Sequence, residues 1–188
     1  LTLNSLLTGL IAKGHTVDVV APKNSKLVEP SKKVKLHFVE GEEQKSWQHQ
    51  DYFSPVSIPN NSLLSEMIEK AIDIGEKADI ILNFSYDWLP IWMTLNINIP
   101  IAHIISMGSE SFVINNLISK VYSKFPNNFA FHSKIQASDY PFIENPIVIG
   151  NGFNLAKYIF QDCKNGPLGW VGRVAPEKGL EDAAYVAN

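Results

Sequence analysis

Apolar residues recur along this chain in two alternating rhythms, one helical and one made of short β-branched runs. Leu3, Leu6, Leu7, Leu10 and Ile11 fall at helical spacing, and Gly14 follows where a glycine ends a helix. Residues 16–21 (TVDVVA) then make a nearly continuous apolar run closed by Pro22, the pattern of a buried parallel strand. Val34, Leu36 and Phe38 alternate with Lys35 and His37, which predicts a more exposed strand. Residues 41–59 are polar and aromatic without a period and read as a loop. Asn61 or Ser62 can cap a helix whose apolar face is Leu64, Met67, Ile68, Ala71 and Ile74. Buried strands are predicted at 79–84 (DIILNF) and 99–106 (IPIAHIIS). After them Ser109 can cap a helix carrying Val113, Leu117 and Val121. A strand at 129–132, a short helix at 134–140 and a strand at 146–149 complete the series.

Strands alternating with helices of this length predict the α/β class, a Rossmann-like parallel sheet with helices on both faces. The strands near 16–21, 79–84, 99–106, 129–132 and 146–149 are expected in one sheet. The pattern lapses from 155 to 166, around Lys164-Asn165-Gly166-Pro167, and then restarts. Residues 168–171 (LGWV) predict a strand outside the first sheet, 172–179 a tight loop, and Leu180 onward a helix. The expected division is a domain at 1–156, a linker at 157–167, and the opening of a second Rossmann-like domain at 168–188. The chain starts at Leu1 inside one helical pattern and stops at Asn188 inside another, so it reads as an excerpt.

Composition narrows the classes of function. With 188 residues, 45% of them hydrophobic and a net charge of −3, one ordinary α/β domain plus part of another is the natural size. The basic residues are scattered, with Lys32-Lys33 the densest pair, so no nucleic-acid footprint is expected. A single cysteine, Cys163, permits no internal disulfide and agrees with a reducing compartment. No apolar stretch reaches the roughly 18 residues of a membrane span, and a cytoplasmic location is expected. Asn60-Asn61-Ser62 fits a glycosylation acceptor, but without a secretory context it reads as a helix cap. No cluster of metal-ligand spacing is evident, and no cofactor is expected.

Chemistry concentrates in residues 169–182, GWVGRVAPEKGLED. A glycine turn between a strand and a helix lets backbone approach a ligand, and the helix start offers unpaired N–H groups. Arg173 can grip phosphate oxygens through its fork and Lys178 adds a point charge, with Gly172 giving access. An ordinary strand-to-helix turn with two solvated cations has the same grammar.

GRVAPEKG resembles the G-R-x-x-P-E-K-G signature that opens the donor domain of family-4 retaining glycosyltransferases, enzymes built from two Rossmann domains. Residues 149–154 (IGNGFN) are similar to the N-G-V-D segment that ends their first domain, in the right order and about twenty residues upstream. His132-Ser133-Lys134 resembles their strand-end serine stretch, and Lys13-Gly14-His15 before TVDVV their first helix and second strand. Residues 82–90 (LNFSYDWLP), 102–109 (AHIISMGS) and GWVGRVAPEKGLEDA further resemble the bacterial UDP-glucose:tetrahydrobiopterin glucosyltransferases. The resemblance implies an acceptor-side domain lacking its first strand, followed by the start of a donor-side domain. It implies glucosyl transfer from a nucleotide diphosphate sugar, most simply UDP-glucose, to a small acceptor such as a reduced pterin. Gly172, Arg173 and Lys178 would then hold the donor diphosphate. The nucleotide sugar would be a co-substrate, and the fragment alone is expected to be inactive.

The chain also departs from that pattern. Many members place a histidine six residues after the proline opening the fourth strand, which from Pro100 is Ser106. Strand alternation puts His103 on the opposite face, so it reads as a core histidine. No certain catalytic residue follows from the sequence. Asn83, Tyr86, Asp87 and Trp88 lie at the C-terminal end of one predicted strand, and Ser106 and Ser109 at that of the next. These are the ends where open parallel sheets bind ligands, so all six are candidate acceptor or sugar contacts. Tyr86 or Trp88 can stack on a flat heterocycle and Asp87 can bond its edge. Trp88, Leu89 and Trp92 equally fit a helix face packed on the sheet. A sugar or lipid acceptor, a non-catalytic nucleotide- or sugar-binding module, and a dehydrogenase lacking any visible G-x-G-x-x-G remain alternatives.

Overall fold

The computed structural model describes residues 2–26, 31–152, 155–157, 169–172, 174 and 178–187. The chain divides into two compact units, Leu1–Phe153 and Asn154–Asn188. The first unit is α/β, with parallel sheets flanked by helices in a Rossmann-like arrangement.

It opens with α1 (Thr2–Ala12), which ends at Gly14 in the left-handed conformation with φ 94°. There the amides of Gly14 and His15 return to the carbonyls of Ile11 and Leu10, satisfying groups that a helix end leaves open. Strand β1 (Val17–Pro22) follows and pairs in parallel with β2 (Val34–Val39). Helix α2 (Leu63–Gly75) packs on both. Its cap is Ser62, whose hydroxyl accepts from the Ser65 amide at 3.2 Å.

A separate four-stranded parallel sheet runs β3 (Ile81–Asn83), β4 (Ile101–Ile105), β5 (Phe129–Phe131) and β6 (Ile147–Val148), in that spatial order. Between its strands lie α3 (Trp88–Met93), α4 (Phe112–Tyr122) and α5 (Lys134–Ser138). The core belongs to this half. Ile91, Ile114, Ile118, Val121 and Phe131 are fully enclosed, and burying each such side chain contributes about 1.5–3 kcal/mol.

Three expectations for the first unit need correction. The strands do not form one sheet, because β1 and β3 share no ladder and each presents an unpaired edge among the described residues. Residues 79–84 are not a continuous buried strand. Ile80 and Leu82 are exposed while the polar Asn83 is buried, since β3 has a neighbour on one side only. Helix α4 is capped by Ser111, whose hydroxyl accepts from the Ile114 amide, and not by Ser109.

In the second unit, residues 155–157 form a short 3-10 turn and α6 spans Leu180–Ala187. The strand expected at 168–171 does not form over residues 169–171, and Leu168 lies outside the described residues.

Candidate functional site

In a parallel sheet every strand ends on the same edge, and polar groups following those ends converge there. On the four-stranded sheet this edge carries Asn83, Ser106, His132 and Gly150 in turn.

Asn83 and His103 are cross-strand partners, and both are buried. The Asn83 amide donates to His103 Nδ1 at 3.0 Å and to the Ser85 carbonyl at 2.9 Å, while its oxygen accepts from the Ser85 amide. Nδ1 is therefore an acceptor, and the ring proton sits on Nε2, directed at Thr94 Oγ1 2.7 Å away. The ring also stacks on Phe129 at 4.8 Å. Burial pushes the imidazole down to about 4. With both nitrogens engaged and the ring neutral, His103 is a core histidine, and Asn83 is the polar group that fixes its tautomer.

Asp87 is also buried. Its Oδ1 caps α3 by accepting from the Trp88 amide at 2.6 Å, and its Oδ2 accepts from Trp47 Nε1 at 3.1 Å. Burial raises its carboxyl above the usual range, while the bond from Trp47 and that from the Trp88 amide act in the other direction. Trp47 comes from the stretch expected to be plain loop, where it makes a 3-10 turn and inserts into the core. A cavity of about 90 Å³ opens here between Trp47, Asp87, Gln44, Gln50 and Ser57. Pockets for drug-sized ligands run to roughly 300–1,000 Å³, so this one suits a few waters, not a bicyclic ring.

Tyr86 is enclosed as well, with its hydroxyl donating to Asn115 Oδ1 and accepting from the Glu110 amide, both at 3.3 Å. Burial pushes that phenol up to about 12. Trp88 stacks on Trp92 at 5.0 Å, and Lys120 lies over the far ring at 4.9 Å. Tyr86 is thus enclosed by packing, and one face of the half-buried Trp88 is covered by Trp92. Asn115 instead links the buried tyrosine to the surface. Its amide donates to Tyr52 Oη at 3.1 Å and to Ser109 Oγ. Tyr52, Phe53 and Phe112 form an exposed cluster, with ring centroids 5.0, 5.4 and 6.2 Å apart.

A second hub is Gln136, on the first turn of α5. Its amide donates to the carbonyls of Ile105 at 2.8 Å and Met107 at 3.0 Å, and its oxygen accepts from the His132 amide at 2.9 Å. Ser106 sits exposed between the two clamped carbonyls. Tyr140 adds a hydroxyl that donates to the Met107 and Gly108 carbonyls. The backbone of 105–108 is thereby pre-organised, with Ser106 presented to solvent and Ser109 held on Asn115.

In the second unit, Gly172 is exposed, and a Cβ there would lie 2.8 Å from the Trp170 ring. Lys178 is exposed just before Gly179, which has φ 59° and accepts from the Ala183 amide in the first turn of α6. Arg173 lies outside the described residues. No group of side chains able to hold a metal ion occurs among the described residues. None of the described helices is long and apolar enough to cross a membrane.

The fold and this edge define a Rossmann-like α/β protein with polar groups gathered at the carboxyl ends of its strands. No protein-family model matches the chain, and no curated protein matches it in sequence.

Sequence reasoning missed Trp47, Asn115 and Gln136. Only Trp47 left a signal, as a large aromatic in an otherwise polar stretch. Asparagine and glutamine hubs look like any surface amide until the loops they join are placed.

Proposed function

We propose that this chain is part of a retaining glycosyltransferase that moves glucose from a nucleotide diphosphate sugar to a small planar acceptor. The observation that supports it is the edge formed by Ser106, Ser109 and His132 on clamped backbone, beside the exposed rings of Tyr52, Phe53 and Phe112. Hydroxyl-binding groups next to an aromatic face suit a sugar meeting a flat heterocycle, such as a reduced pterin. Since Tyr86 and Trp88 are packed, the acceptor's ring is assigned to the exposed trio.

The GRVAPEKG resemblance supplies the donor half. As the bond between the anomeric carbon and the diphosphate oxygen breaks, Arg173 and Lys178 neutralise the charge that accumulates on the leaving group. The acceptor attacks from the same face, and the departing diphosphate takes its proton. The test is an assay of the intact protein with UDP-glucose against pterins, sugars and lipid acceptors. A glucosylated pterin is expected, and Arg173→Ala and Lys178→Ala should each cost about 2–4 kcal/mol in kcat/KM. Transfer only to sugars or lipids would remove the pterin. No donor consumption with any acceptor would remove the transferase.

A further inference from the structure

Five histidines occur in the chain, and their surroundings separate them. His103 is neutral and spent in the core, His37 pairs with Asp18 across β1 and β2, and His15 and His49 are exposed away from the strand ends. His132 differs. It is half-buried, immediately follows β5, and its amide is held by Gln136. Its Nδ1 lies 3.0 Å from the Gly150 carbonyl oxygen. A carbonyl only accepts, so Nδ1 must carry the proton, and in the neutral ring the lone pair is left on Nε2. Nε2 has no hydrogen-bond partner among the described residues. The anchor is itself constrained, because Gly150 holds a left-handed φ of 71°, which side-chain-bearing residues rarely adopt.

We propose that His132 Nε2 is a sugar-hydroxyl acceptor at this edge, working beside Ser106. The inference rests on the transferase reading and specifies the residue that grips the transferred hexose. An open imidazole lone pair accepts from O–H, whereas an ionised phosphate has no proton to offer it. Ser106, tied to the same Gln136 through the carbonyls on either side, supplies a hydroxyl that both donates and accepts. An acceptor nitrogen and an amphoteric hydroxyl on one rigid edge match neighbouring hydroxyls of a hexose.

The test is long-range proton–nitrogen NMR on the intact protein with labelled imidazoles. Without ligand, His132 should show the Nδ1–H tautomer and His103 the Nε2–H tautomer. UDP-glucose should shift His132 Nε2 as its lone pair takes a hydrogen bond, while UDP alone and a pterin alone should leave it in place. His132→Phe should raise the KM for UDP-glucose about tenfold, the loss of one such bond, without weakening inhibition by UDP. His132→Gln, which keeps an acceptor, should recover part of it. An Nε2–H tautomer at His132 would overturn the assignment. So would an unmoved Nε2 while UDP-glucose shifts other resonances, or an equal shift with UDP or pterin alone. If UDP-glucose moved no resonance at all, the transferase reading itself would fall, and this assignment with it.

Discussion

The sheet of β1 and β2 and the sheet of β3 to β6 are built from similar sequence, yet they are buried very differently. VDVVAP in β1 is as apolar and β-branched as IAHII in β4. No residue of β1 or β2 is buried beyond an intermediate degree, whereas four of the five in β4 are buried. The difference is one of neighbours. β4 is paired on both edges and covered by packed side chains, while β1 has a partner on one edge only among the described residues. An apolar strand acquires its stability from what surrounds it, and a run of valines is only a capacity for burial.

If that account is right, equivalent truncations should have unequal costs. Phe131→Ala should destabilise by about 3–5 kcal/mol in denaturant unfolding, because the ring is fully enclosed and the site cannot collapse. Val19→Ala should cost about 1 kcal/mol or less, since that side chain is only partly buried. Similar costs at the two positions would show that β1 is as well covered as β5 and break the contrast.

Acid should sharpen it. His103 sits in the well-packed half, and its folded value near 4 lies below the usual 6.5. Between those values the unfolded chain binds the proton and the folded chain does not, so stability falls as pH drops from about 6.5 to about 4 and then levels. Full loss amounts to about 3 kcal/mol. Asp87, raised by burial, contributes in the opposite sense at the low end of that window. Hydrogen exchange across this window should show β4 and β5 losing protection as pH falls while β1 and β2, already weakly protected, change little. In His103→Gln the slope between pH 6.5 and 4 should flatten, and an unchanged slope would remove His103 as its source.

A smaller effect than that of His103 is expected where loop meets helix. Asp87→Ala removes both the cap of α3 and the partner of Trp47, at about 1–2 kcal/mol. Trp47 fluorescence should shift to the red as the indole loses its anchor. A cost with no change in emission would leave the cap as the sole contribution of Asp87.

Much of the fold was legible before any coordinates. The helical spacing of Leu3 to Ile11, the glycine at 14, the cap at Ser62 and the short β-branched runs act over a turn or a strand. Local sterics and hydrogen bonding therefore decide them. Expectations failed where the answer depended on distant chain. Whether β1 joins β3 depends on edge pairing, and Ser111 replaces Ser109 as a cap because Asn115 claims the latter. At the candidate site the sequence placed Asn83, Ser106 and Ser109 near strand ends correctly, since strand ends are local. It also offered Tyr86, Asp87 and Trp88 as ligand contacts, and the enclosure of Tyr86 and Asp87 and the stacking of Trp88 on Trp92 were matters of packing.

What the sequence by itself determined, then, is the order of helices and strands, the α/β class and the set of polar residues available at the strand ends. Tertiary structure alone decided which of them remain open. His103 lies on β4 and His132 just after the adjacent β5, one with both nitrogens bonded in the core and the other with one nitrogen unpartnered among the described residues. Strand alternation places His103 in the core, but nothing in the local sequence says that His132 keeps a nitrogen open. The partners that decide it, Thr94 and Asn83 for one and Gly150 for the other, arrive from nine to twenty residues away through the folding of the chain.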